Sequence, residues 1–71
     1  MERESAKKLS EHIIYSAKEL NTQVHELRQS LTQDEFEIYM KKISHIMALN
    51  FDILDLIGSE YPEYNPYEKN K

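Results

Sequence analysis

Seventy-one residues make at most one domain, close to the size at which a single core supplies only about 3–5 kcal/mol, and the lack of any cysteine removes disulfides and thiolate metal sites as staples. Hydrophobic residues make up 39% and charged residues 31%, with one glycine and two prolines, which suits a soluble helical chain and argues against a disordered or turn-rich one. The net charge is −4: residues 1–31 are neutral, residues 32–58 carry −3 and the remainder −1, so no segment offers the basic face that nucleic-acid binding needs to release phosphate counterions.

The first element predicted is a helix over about 3–31. Ala6, Leu9, Ile13, Ala17, Leu20, Val24, Leu27 and Leu31 recur at spacings of three and four, the period of one helical face. No glycine or proline interrupts them. Ile14 and Tyr15 fall off this stripe and are expected at the surface.

The turn carries the best-specified local signal. Thr32 and Glu35 form a Thr-x-x-Glu capping box, in which the hydroxyl accepts from the Glu35 amide and the carboxylate reaches back to the Thr32 amide. Leu31 and Phe36 stand at the spacing of a hydrophobic staple, and Asp34 and Glu35 place negative charge at the positive end of the next helix. A restart this abrupt leaves little loop, so the two helices should fold back antiparallel.

The second helix is predicted over about 33–57, stopping at Gly58 in the C′ position. Its apolar residues, from Phe36 through Ile57, spread over roughly 220° of the wheel, whereas one neighbouring helix covers only about 100°. Pairing the helices about Thr32 sets Leu27 against Met40, Val24 against Ile43, Ala17 beside Phe51, Ile13 beside Leu54 and Leu9 beside Ile57. Left over on the other side are Tyr39, Ile46, Leu49, Ile53 and Leu56. Burying these five would remove on the order of 500 Å2 of apolar surface per chain, worth roughly 10 kcal/mol before association costs.

These residues imply an all-α fold: an antiparallel two-helix hairpin that dimerises into a four-helix bundle, with residues 1–58 as the hairpin and 59–71 as an irregular tail. Asn50 joins the expected interface. It projects near the middle of the apolar arc, where a buried amide can fix register and oligomeric state at a cost in stability.

The tail contains Pro62 and Pro66, with Tyr61, Tyr64 and Tyr67 at every third position. In a polyproline II conformation the three rings would line one edge, forming a recognition strand; a strap along the bundle and a disordered end are the other readings.

The chemistry expected is sparse. His12, His25 and His45 lie far apart along the helices and project on different faces, so no metal site or other cofactor is expected. Asp52 and Asp55 share a face with no nucleophile near them, which reads as a solvated surface and not as an acid/base pair. No glycine-rich loop is present to hold a phosphate, and neither catalytic residues nor a small-molecule substrate are expected. Leu54-Asp55 followed by Tyr61 resembles the end of the second helix in the small sporulation aspartyl-phosphate phosphatases, which are also helical hairpins. That resemblance would imply phosphatase action on a response regulator, but Phe51-Asp52 stand where the family has Ser-Gln, so it covers only a few residues. The overall plan resembles the plasmid-copy-number RNA modulator, a hairpin dimer, but the basic RNA-binding face of that family has no counterpart here.

The function expected is therefore that of a small non-enzymatic interaction protein, a regulator or adaptor, acting as a homodimer in the cytoplasm without nucleic-acid or membrane partners. No stretch approaches the roughly 18 apolar residues of a membrane span, and Met1-Glu2-Arg3-Glu4 lacks a signal-peptide core. Glu37, Asp52 and Asp55 on the acidic face, with Tyr61, Tyr64 and Tyr67, form the expected partner surface. The alternative is a half-fold subunit or co-chaperone whose second helix binds a different protein.

Overall fold

The uninterrupted three-four periodicity of the first thirty residues builds one helix, α1, Arg3–Ser30. In the computed structural model, which describes residues 1–67, α1 is followed by α2, Gln33–Glu60, and by a short 3-10 turn, Pro62–Tyr64. Residues 68–71 of the predicted tail lie outside the described residues. Each helix has 28 residues, about 42 Å at 1.5 Å per residue, which accounts for the 44 Å long axis of the molecule. The two helices pack against each other as a hairpin.

Only Leu31 and Thr32 separate the helices, and local chemistry makes that possible. The Leu31 amide donates to the Leu27 carbonyl at 2.9 Å and closes α1. The Glu35 amide then donates to Thr32 Oγ1 at 3.2 Å, while the Thr32 amide donates to Glu35 Oε1 at 3.0 Å, completing the capping box. A cap of this kind contributes about 0.5–2 kcal/mol. Phe36 is buried at the start of α2, with the Arg28 guanidinium 4.5 Å above its ring. That contact holds the two helices together beside the turn.

The buried apolar residues are few: Ala6, Ile13, Phe36, Ile43, Leu54 and Ile57. Leu20, Val24, Leu27, Met40 and Met47 are only half-buried, and Leu9 reaches the surface. One helix laid against another covers a narrow stripe of each, so a two-helix core stays thin along its whole length. Ala17 shares a groove with Phe51, and Leu9 shares another with Ile57.

The end of α2 differs from expectation. The helix does not stop at Gly58 but passes through it to Glu60, and no glycine has positive φ. Gly58 is buried, so what it contributes is small size and not left-handed backbone. The stop lies at Pro62, whose ring disfavours helical backbone in the residue before it. Tyr61 accordingly leaves the helical region (φ −132°, ψ 83°) while its amide donates to the Ile57 carbonyl at 2.8 Å.

The start of the tail is neither polyproline II nor loose: residues 61–67 form a strap across the open end of the hairpin. Tyr61 Oη donates to the Met1 carbonyl at 2.7 Å, and Arg3 pairs with Glu63 while its guanidinium lies 4.7 Å over the Tyr61 ring. Further along, the Asn65 side chain is buried, donates to Asp55 Oδ1 at 3.0 Å, and accepts the Tyr67 amide at 3.1 Å.

Candidate interaction surface

Helix α2 has more apolar residues than α1 can cover, and their spacing decides which ones remain in solvent. Residues in register with Phe36, Ile43, Leu54 and Ile57 turn inward. Tyr39, Ile46, Leu49 and Leu56 lie around the helix from them, with exposures of 55%, 49%, 50% and 73%. Ile53, within this stripe, and Asn50, at its margin, are half-buried. Ile46, Leu49, Ile53 and Leu56 thus share one side of α2, with Tyr39 further toward the turn on the same side. Ile38, 64% exposed, flanks it near the turn.

The acidic residues do not form a single patch. Glu37 and Asp52 are exposed, and Glu37 accepts from the Gln33 side chain at 3.1 Å, one helical turn back. Asp55 is exposed as well, but it is tied to the strap through Asn65. Its role is thus at least partly structural, which sequence reading missed because its partner lies in the tail.

The three tyrosines separate. Tyr61 and Tyr64 meet with ring centroids 5.9 Å apart, beside Arg3. Tyr67 stands edge-on to Phe51 at 5.4 Å and closes one side of a shallow groove of about 220 Å3 with Ala17 and Met47. The edge of three aligned rings expected from polyproline spacing is absent, because the 3-10 turn at Pro62–Tyr64 bends the chain back on itself. Of the off-stripe residues on α1, Tyr15 is exposed and Ile14 half-buried.

Electrostatics sharpen the strap end. The Tyr64 phenol, then the Glu63 carboxylate, hold the Arg3 guanidinium charged beyond its ordinary range. The Glu63 carboxyl is lowered by a hydrogen bond from its own backbone amide and, against partial desolvation, by Arg3. The N-terminal ammonium lies 3.6 Å from Glu60 Oε2. These charges neutralise one another at the surface and leave no site of a single sign.

His12, His25 and His45 are all exposed, and among the described residues no group of three histidine, aspartate or glutamate side chains is placed to hold a metal ion. Among those residues no helix is long and apolar enough to cross a membrane. No family model matches the chain, and neither a curated protein nor a solved structure matches it.

Proposed function

We propose that this chain is a small interaction protein, a regulator or adaptor, that works as a homodimer of helical hairpins and acts through a surface instead of a reaction. The observation that carries the reading is the apolar band on α2: Tyr39, Ile46, Leu49 and Leu56, each about half exposed or more, with half-buried Ile53 among them and Asn50 at the margin. Apolar surface gathered on one face of so thin a fold is stabilised by covering it. Packing α2 against α2 of a second copy does so symmetrically and converts two hairpins into a four-helix bundle.

Self-association on α2 leaves the acidic side chains of Glu37 and Asp52 and the strap tyrosines Tyr61, Tyr64 and Tyr67 as the surface for a further protein. A cysteine-free chain fits the reducing cytoplasm. Sedimentation equilibrium from micromolar to millimolar concentration tests the reading. A dimer is expected throughout the upper range; a soluble monomer at millimolar concentration would refute it and assign the band to a different protein.

A further inference from the structure

The exposed band on α2 has a stricter order than amphipathicity requires. Tyr39, Lys42, Ile46, Leu49, Ile53, Leu56 and Glu60 follow one another at spacings of three, four, three, four, three and four. That is the alternation of a coiled-coil seam, in which four apolar residues are bracketed by a cation on one side and an anion on the other. Lys42 is exposed and Ile53 half-buried, and Glu60, whose side chain is 53% exposed, lies 3.6 Å from the N-terminal ammonium.

We infer that two copies of the chain pair α2 with α2 in antiparallel orientation, in the single register that sets Lys42 against Glu60 of the second copy. This rests on the homodimer reading above and specifies its geometry. In that register Ile46 meets Leu56 and Leu49 meets Ile53, so each apolar layer joins one isoleucine and one leucine. The two-fold axis passes between Leu49 and Ile53, close to Asn50. Both ends of the seam close on a Lys42–Glu60 pair.

The charges disfavour two neighbouring arrangements. Parallel pairing would stack Lys42 on Lys42 and Glu60 on Glu60. Moving the antiparallel seam by one heptad towards the turn would set Lys42 against Ile53 and bring Glu35 to Glu60. Like charges across a seam are a common device against the wrong register. The selected register overlaps the strap-bearing halves of the two hairpins and leaves both turn ends, with Glu37 and Ile38, projecting free. Tyr39 falls one layer beyond the charged pair, past the end of the facing α2.

The absence of native cysteine allows a direct test. Equal amounts of Lys42→Cys and Glu60→Cys proteins are mixed, oxidised and resolved by mass, with sedimentation run in parallel. The heterodisulfide should dominate. Two copies of position 42 would stand about 27 Å apart along the axis, far outside disulfide reach. Homodisulfides, or none, from a protein that still sediments as a dimer overturn the register and leave the dimer standing; a monomer at millimolar concentration removes both. Charge exchange gives a second readout. Lys42→Glu alone should weaken the dimer about tenfold, and Lys42→Glu with Glu60→Lys should restore it. Failure of the double variant to restore, while its helicity and Tm at low concentration match those of Glu60→Gln, would contradict the pairing.

Discussion

The phenol of Tyr61 donates a 2.7 Å hydrogen bond to the backbone carbonyl of Met1, joining residues sixty positions apart across the open end of the hairpin. The turn end is held by covalent continuity and a capping box; at the open end, contacts of this kind join the chain ends beside the buried Ala6, Leu54 and Ile57. With Arg3–Glu63 and the N-terminal ammonium beside Glu60, this bond keeps the two helix ends together. Tyr61→Phe retains the ring and loses only the bond. It should cost about 0.5–1 kcal/mol and lower Tm by a few degrees, with faster amide exchange concentrated at Tyr64 and Asn65. Unchanged exchange at those amides would show that the strap is held elsewhere.

The strap should also respond to acid. The Glu63 carboxyl titrates below its ordinary value of 4.5, chiefly through its own backbone amide, with Arg3 assisting. A carboxyl lowered in the folded state contributes stability above the unfolded value and loses it as pH falls through the folded one. The strap contacts should therefore hold at neutral pH, weaken below about pH 4.5, and be lost once the lowered value is passed. NMR shifts of the Tyr61 and Tyr64 rings followed against pH check this, and Glu63→Gln should abolish the transition. Because the pair is exposed, the effect on global stability should be small.

Leu54 and Leu56 are two residues apart and should behave oppositely. Leu54 is 1% exposed and Leu56 is 73% exposed. Leu54→Ala should cost about 2–5 kcal/mol, comparable to the stability a chain of this size can hold, and leave much of the protein unfolded in urea titrations. Leu56→Ala should change the stability of the hairpin itself by less than about 0.5 kcal/mol while weakening self-association. Equal losses of helicity in the two variants at low concentration would mean that Leu56 is buried within the monomer.

Thr32→Ala tests the turn. Losing the side-chain acceptor leaves the Glu35 amide without its partner, and should cost about 0.5–2 kcal/mol as measured by thermal unfolding. Thr32→Ser should recover most of this, because the hydroxyl is retained.

Asn50 is half-buried at the margin of the apolar band, where a hydrocarbon would be more stable. Asn50→Leu should raise Tm and broaden the distribution of oligomers seen by sedimentation, since a polar side chain near a seam favours one register over others. A variant that is less stable and still purely dimeric would contradict this assignment.

The local architecture was legible in the sequence because its causes are local. The three-four periodicity of α1, the Thr32–Glu35 box and the surplus of apolar residues on α2 each act within one or two helical turns. For the same reason the exposure of Tyr39, Ile46, Leu49 and Leu56 could be anticipated from the width of the arc alone. The end of α2 could not, and for the tail a strap is one of three readings that the sequence leaves open. Gly58 resembles a helix terminator, but in the fold it is buried within the helix, and Pro62 sets the stop. Asp55 looks like a solvated carboxylate until Asn65 is brought to it, and the three tyrosines share a face only in a backbone the chain does not adopt. These contacts exist because two helices of equal length return the chain to its own beginning, placing Met1 and Arg3 within reach of Tyr61 and Glu63. The pattern of residues determined the helices, the turn and the uncovered face; only the meeting of the two distant ends decided where the second helix finishes and what the tail does.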